Sequence, residues 1–142
     1  MKRIWAAVMA AGLLAVPATA EAKTIDPAQF GLHVETLGAG VAPQIGVKAV
    51  RLWDTGARWD QIEPARGEYN WGPLDRAVGA AEAAGATEIL YVLGSTPSWA
   101  ASTFSDVDLY GSGTASFPKK SKYYLSFARA VAKRYKGRIT SY

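Results

Sequence analysis

The sequence predicts an α/β fold in which parallel strands are joined by crossover helices. Apolar segments of strand length alternate along the chain with segments whose apolar residues follow helical spacing. The resulting order of strand, link, strand, helix, strand, helix, strand is typical of a parallel sheet. Hydrophobic residues make up 49% and charged residues 20% of the 142 residues, which is ordinary for one globular domain and excludes a disordered chain.

The first two strands are predicted at residues 30–35 and 47–53, separated by a poorly patterned link at residues 40–46 that contains Pro43. Successive side chains of a strand point to opposite faces of the sheet. In the second strand, one face carries Val47, Ala49, Arg51 and Trp53, and the other carries Val50 and Leu52.

A helix is predicted after residues 59–70, which are interpreted as a loop or a short turn interrupted by Pro64 and Gly67. Pro73 fits the first helical position, and Gly85 provides the C-cap. Between them, apolar residues recur at helical spacing, at Leu74, Ala77, Val78, Ala81 and Ala84.

A third strand is predicted at residues 88–93, and a long irregular segment rich in Gly and Ser follows at residues 95–118. Loops of this length are uncommon in compact domains and are often functional. A second helix is predicted at residues 121–135, with Gly137 ending it and a further strand beginning at residues 138–142. The apolar side of this helix contains Tyr124, Phe127, Ala128, Val131 and Tyr135.

Two architectures share this order of elements: the open doubly wound sheet and the closed (β/α)8 barrel. The glycine-rich phosphate loop that is typical of the first is only weakly matched by residues 36–40, which lack a third glycine. A barrel takes about 250 residues, or about 30 for each unit. Residues 23–142 would supply three units and the start of a fourth strand, so we expect the N-terminal part of a larger domain, with a self-sufficient small α/β domain as the alternative.

The composition of the chain limits the kinds of catalytic and metal-binding sites that it can form. It contains no Cys, which excludes disulfides, thiolate zinc sites and cysteine nucleophiles, and its single histidine, His33, excludes a multi-histidine metal site. No Gly-x-Ser-x-Gly elbow and no Walker-type loop is present. The sequence therefore predicts chemistry by carboxylates, hydroxyls, guanidinium groups and aromatic rings.

The first 22 residues have the layout of a secretory signal peptide. Lys2 and Arg3 precede an apolar run at residues 4–16, and small-residue cleavage sites end at Ala20 and Ala22. A membrane anchor is the alternative, but a span needs about 20 apolar residues and this run is shorter. We expect a secreted or periplasmic protein, not bound to a membrane once residues 1–22 are removed.

Basic residues are concentrated near the end of the chain. Eight Lys or Arg lie within residues 119–138, and no acidic residue follows Asp108. A nucleic-acid partner is one interpretation. The favoured one is a solvated helix face with acidic neighbours elsewhere in the fold, because the charges share a helix with a regular apolar stripe.

Candidate functional residues are predicted where strands end, since working residues collect at the carboxyl ends of barrel strands. These ends provide His33 and Glu35, then Arg51, Trp53 and Asp54, then Ser95, Thr96 and Trp99. Arg51 lies on the face expected to point into a barrel, where a guanidinium is costly unless it meets a carboxylate. That carboxylate is either an active-site Glu, which Arg51 would keep ionised, or a plain ion-pair partner.

The other candidates each leave two interpretations open. His33 either hydrogen-bonds a polar ligand at the strand ends or is a satisfied core histidine. Trp99 either stacks its indole on the apolar face of a sugar or packs against its neighbours. Asp54 either contacts a polar ligand or is structural.

Several segments together resemble the clan A retaining glycoside hydrolases, which are (β/α)8 barrels, with families 39, 5 and 42 the most similar. Their second unit is matched by Arg-Leu-Trp at 51–53, Trp-Asp-Gln-Ile-Glu-Pro at 59–64, Gly-Glu-Tyr-Asn-Trp at 67–71 and Leu-Asp at 74–75. The end of their third strand is matched by Thr-Pro-Ser-Trp-Ala at 96–100, and their third helix by residues 127–139. The resemblance covers residues 30–142.

The resemblance implies hydrolysis of β-linked sugars by a proton-donating Glu and a nucleophilic Glu. In these families the two follow strands four and seven, beyond Tyr142, so we expect the chain alone to be inactive. Neither Glu35 nor Glu63 matches a catalytic position. Arg51 matches the arginine that supports the nucleophile, and His33 and Trp99 loosely match the lining of the sugar site.

The sequence thus favours the N-terminal part of an exported bacterial glycoside hydrolase whose partner is an oligo- or polysaccharide and not nucleic acid. A non-catalytic secreted carbohydrate-binding barrel is the main alternative, and an unrelated barrel or small domain is another. The sequence predicts neither the sugar nor the oligomeric state.

Overall fold

A computed structural model describes residues 24–26, 29–42, 46, 48–105 and 108–142. The predicted signal peptide at residues 1–22 and the residue Val47 lie outside these ranges. Three strands, β1 (Gly31–His33), β2 (Ala49–Leu52) and β3 (Glu88–Tyr91), form a parallel sheet in that order. The predicted α/β fold with parallel strands is therefore confirmed.

Three α-helices accompany the sheet: the single turn α1 (Trp59–Ile62), α2 (Gly72–Ala83) and α3 (Ser121–Arg134). The two long helices match the predicted ones closely, and Gly85 ends α2 at a φ of +80°. No helix in the described ranges has the length and apolar character needed to cross a bilayer. The irregular segment after β3 contains no helix or strand among its described residues, as predicted.

The end of the first strand differs from the prediction. β1 stops at His33, and Glu35 starts a 3₁₀ helix, Glu35–Ala39, so Glu35 does not lie on the strand. Gly40 ends this helix with φ at +81°, a conformation that glycine adopts without steric cost. A five-residue 3₁₀ helix is too short to be recognised by a periodic apolar pattern.

The hydrophobic core lies on one face of the sheet. The register pairs Val50 with Ile89 and Leu52 with Tyr91, and all four residues are buried. α2 adds Leu74 and Val78 to the same cluster, and α3 adds Phe127 and Val131. Both long helices therefore cover this face, as crossover helices in a parallel sheet do.

The opposite face of the sheet is open. β1 contributes His33, β2 contributes Arg51 and β3 contributes Leu90, which the register aligns side by side across the three strands. His33 and Arg51 are exposed, and 38% of Leu90 is exposed. The predicted alternation of β2, with Arg51 on the face opposite to Val50 and Leu52, is confirmed.

Residues 140 and 141, within the strand predicted at residues 138–142, pair with β3 in the structure. Ser141 forms a parallel bridge with Leu90, and the backbone N–H groups of Thr140 and Ser141 donate to the carbonyl of Ile89 at 3.0 and 3.1 Å. Chain pairing thus continues beyond β3 on the side away from β2.

Two ion pairs join α2 to α3 and the residues that follow it. Asp75 accepts two hydrogen bonds from Arg134, at 3.1 and 2.7 Å, and one from the hydroxyl of Tyr135 at 2.8 Å. Arg138 makes a similar pair with Glu82. The hydrogen bonds from Arg134 are the main cause of the lowered pKa of Asp75. Part of the basic run thus faces acidic residues of α2, which supports the interpretation as a helix face.

Gly38 lies where the 3₁₀ helix contacts the loop after β2. A Cβ at this position would lie 2.1 Å from the carbonyl oxygen of Thr55, which is backbone and cannot rotate away. The carbonyl of Gly38 also accepts a hydrogen bond from Arg76 on α2 at 3.2 Å. Only glycine therefore allows this close approach.

We predict that Gly38→Ala lowers the free energy of unfolding by about 2 kcal/mol or more, because the backbone must shift to admit the methyl group. Gly79→Ala is the matched control, since a Cβ there meets nothing within 4 Å and lies inside α2. The control should gain about 0.5–1 kcal/mol. Urea denaturation measures both, and equal stabilities would contradict the close approach.

Candidate functional site

Arg51 and His33 are neighbours on the open face of the sheet. The carbonyl of Arg51 lies 3.2 Å from Nδ1 of His33, and because a carbonyl only accepts, Nδ1 carries the proton of this bond. In the neutral ring, Nε2 is then left as an acceptor. Among the described residues, no carboxylate lies within ion-pair distance of Arg51. The plain ion pair considered from the sequence is therefore not formed within this part of the chain.

Asp54 follows β2 and belongs to a polar cluster with Trp53, Arg58 and Tyr110. The Tyr110 hydroxyl accepts a hydrogen bond from Nε1 of Trp53 at 3.0 Å and donates to Oδ2 of Asp54 at 3.1 Å. The Arg58 guanidinium lies 4.1 Å from the centre of the Tyr110 ring and 3.6 Å from Oδ1 of Asp54. This cluster fixes the long segment after β3 against the end of β2.

Two small cavities open beside this cluster. One of about 260 Å³ is bordered by Trp53, Ser95 and Tyr110. The other, of about 290 Å³, is bordered by Asp60, Ser98 and Tyr110. The long segment after β3 thus forms walls close to the residues that follow β2 and β3.

Ser95 has a strained backbone in this region. Its φ is +67°, the single positive value for a non-glycine residue in the described part of the chain. Its carbonyl accepts the backbone N–H of Asp60 at 3.0 Å, and its hydroxyl is buried with no hydrogen-bond partner among the described residues. Strain of this kind collects at functional sites. The residue types around Ser95 do not predict this backbone conformation.

Trp99 lies in a different environment from Arg51 and His33. Its indole N–H donates to the carbonyl of Glu63 at 2.8 Å. Its ring meets the Trp59 ring edge-on, with the two ring centres 6.0 Å apart. The centre of the Tyr123 ring is 5.3 Å away. The structure therefore brings Arg51 and His33 together and places Trp99 beside α1 and α3, in a cavity that none of Arg51, His33 and Asp54 lines.

Glu63 is a buried carboxylate with structural partners. It is 2% exposed, and its Oε2 accepts from Nε1 of Trp59 at 2.7 Å while Oε1 accepts from the backbone N–H of Gly67 at 2.8 Å. Burial and the nearby Glu63 charge raise the pKa of Tyr69. Glu63 thus holds the α1–α2 connection in place.

The described residues contain no group of three or more His, Asp or Glu side chains placed to hold a metal ion.

Comparison with known proteins gives one family. The family model of glycoside hydrolase family 42, described as β-galactosidase, matches residues 39–140. Among solved structures, the β-galactosidase from the psychrophilic Marinomonas ef1 is similar, with a TM-score of 0.47 and 16% identity over 77% of this chain. The chain spans 20% of the length of that enzyme. No curated protein sequence matches.

We predict that Glu63→Gln destabilises the fold by about 2–3 kcal/mol. The amide retains one acceptor oxygen, and its NH₂ group must face either the Trp59 or the Gly67 N–H, leaving a buried donor unpaired. Glu68→Gln, on an exposed residue of the same connection, is the control and should be neutral. Thermal unfolding distinguishes the two, and an unaltered midpoint for Glu63→Gln would show that its carboxylate does not support this connection.

Proposed function

The chain belongs to glycoside hydrolase family 42, and from that membership we propose that it forms the first part of a (β/α)8 barrel that hydrolyses β-linked galactosides. The observation that carries the proposal is the open face of the sheet. In the part of the chain that the structure describes, helices cover the side that carries Val50 and Leu52 and leave the side that carries Arg51 exposed, and we take this exposed side as the barrel interior. Strand pairing at Ser141 extends the sheet in the direction that closure requires.

The reaction we propose is hydrolysis with retention of configuration. One carboxylic acid protonates the leaving oxygen, and a carboxylate about 5–5.5 Å away attacks the anomeric carbon. The Glu63 carboxylate already accepts hydrogen bonds from Trp59 and Gly67. Glu35 is exposed on the 3₁₀ helix. We therefore propose that both catalytic carboxylates belong to residues outside these 142, and that the chain alone has no hydrolase activity.

Arg51 has a specific role in this proposal. Its guanidinium faces the barrel interior with no carboxylate partner in the described residues, so the nucleophilic carboxylate becomes its partner when the barrel closes. A guanidinium paired with the nucleophilic carboxylate favours the ionised form of that carboxylate. His33, with Nε2 available as an acceptor, and Asp54, beside the small cavities, are proposed to accept hydrogen bonds from sugar hydroxyls.

The proposal extends to the location of the protein. Residues 1–22 are proposed to be a signal peptide, which leads to a secreted or periplasmic enzyme acting on oligo- or polysaccharides. Acid–base and nucleophilic catalysis by carboxylates needs neither a metal nor an organic cofactor.

We predict that Arg51→Ala, made in a longer protein that contains these residues, lowers kcat on an aryl β-galactoside about a hundredfold or more. Loss of the cation raises the pKa of the nucleophile, so the acidic limb of the pH profile moves to higher pH. Arg51→Lys should restore part of the rate. Arg129→Ala, on an exposed residue of α3, is the control.

Wild-type kinetics and an unchanged pH profile for Arg51→Ala would remove Arg51 from the site. A longer protein that binds galactosides without any turnover would instead indicate the non-catalytic carbohydrate-binding barrel.

A further inference from the structure

A cavity of about 530 Å³ lies between the α1–α2 connection and the first turns of α3. Its lining includes Arg66 and Tyr69 from the connection, Trp99, and Lys122, Tyr123 and Ser126 from α3. It shares no lining residue with the two cavities beside Tyr110. The proposed hydrolysis of galactosides makes no use of it.

Two cations converge on this cavity without an acidic partner. The Arg66 guanidinium lies 4.9 Å from the centre of the Tyr123 ring, and the Lys122 ammonium lies 5.9 Å from the same centre. In the described ranges, no carboxylate is within ion-pair distance of either one. Both side chains line the cavity, so an anion that enters it is attracted by two positive charges.

The cavity also contains a negative charge, from Glu63, but this charge is already engaged. Its two oxygens accept hydrogen bonds from Trp59 and Gly67, and the residue lines the cavity with only 2% of its surface exposed. The two cations outnumber it, so the accessible part of the cavity is positive.

Aromatic rings and hydroxyls complete the lining. Trp99 and Tyr123 both line the cavity. Their ring planes are inclined at 60°, and the ring centres are 5.3 Å apart. The Tyr69 hydroxyl also lies at this wall, in hydrogen-bond contact with Glu63 and Ser126, and burial together with the Glu63 charge raises its pKa. Ser126 offers a second hydroxyl. Flat aromatic surface next to hydroxyl donors suits a sugar ring, whose C–H groups are apolar and whose rim is polar.

We propose that this cavity is a binding site for an acidic saccharide, a sugar that carries a carboxylate, separate from the site of hydrolysis. The carboxylate accepts charge-assisted hydrogen bonds from Arg66 and Lys122. The ring lies against Trp99, and its hydroxyls contact Tyr69 and Ser126. The site would hold an acidic polysaccharide while neutral linkages are processed elsewhere, and it does not depend on the hydrolytic proposal.

The test is a titration of the 142-residue chain with trigalacturonate and with galactotriose, its neutral counterpart, at low ionic strength. Binding is followed by calorimetry and by the fluorescence of the five tryptophans of the chain, of which Trp99 lines the cavity. We expect trigalacturonate to bind at least about tenfold more tightly than galactotriose, and its affinity to fall as salt is added.

Variants locate the site. Arg66→Gln and Lys122→Gln should each weaken trigalacturonate binding about tenfold, because each removes a charge-assisted contact. Lys120→Gln and Arg129→Gln remove exposed charges that do not line the cavity, and they should bind as the wild type does. Circular dichroism confirms that the variants fold, which is expected because Arg66 and Lys122 are both exposed.

Three outcomes would overturn the proposal: equal affinity for the acidic and the neutral trisaccharide, unchanged binding in Arg66→Gln and Lys122→Gln, or displacement of trigalacturonate by acetate at an equal concentration of carboxylate. The last would identify a site for simple anions. None of them bears on the proposed hydrolysis, which is measured on other residues and in a longer protein.

Discussion

Burial of a single face of the parallel sheet determines which side chains of the strands stay accessible. Val50 and Leu52 are held under the helices, and because side chains alternate along a strand, Arg51 between them has to point to the other side. A shift of β2 by one residue would place the guanidinium in the apolar core, at a cost no ion pair readily offsets. The position of the main candidate residue is thus fixed by the packing of its two neighbours.

Buried polar groups then organise the loops around that sheet. The Glu63 carboxylate binds Trp59 and Gly67, and the Tyr110 hydroxyl joins Trp53 to Asp54. Each group satisfies two partners, so removing one would leave buried donors or acceptors unpaired. These contacts allow long irregular connections to hold defined positions near the strand ends, where a sugar site is proposed.

Periodic features of this fold could be predicted from the sequence, and features that arise from distant contacts could not. α2 and α3 are long enough for helical spacing to be visible, and the alternation in β2 placed Arg51 correctly. The single turn α1 is held instead by hydrogen bonds from Trp59 and Asp60 to the carbonyls of Gly94 and Ser95. The environment of Trp99 likewise depends on Tyr123, which lies on a helix that begins more than twenty residues later. No local pattern contains such information.

We expect the open face to become the interior of a closed barrel, and a cysteine label can test this because the chain has no Cys. Leu90→Cys lies on the open face, and Leu125→Cys, as the control, lies on α3, with 38% and 47% of the native leucines exposed. Both should react rapidly with a thiol reagent in the 142-residue chain. In a longer protein, we predict that Leu90→Cys becomes protected while Leu125→Cys stays reactive. Equal and rapid labelling of Leu90→Cys in both proteins would contradict it.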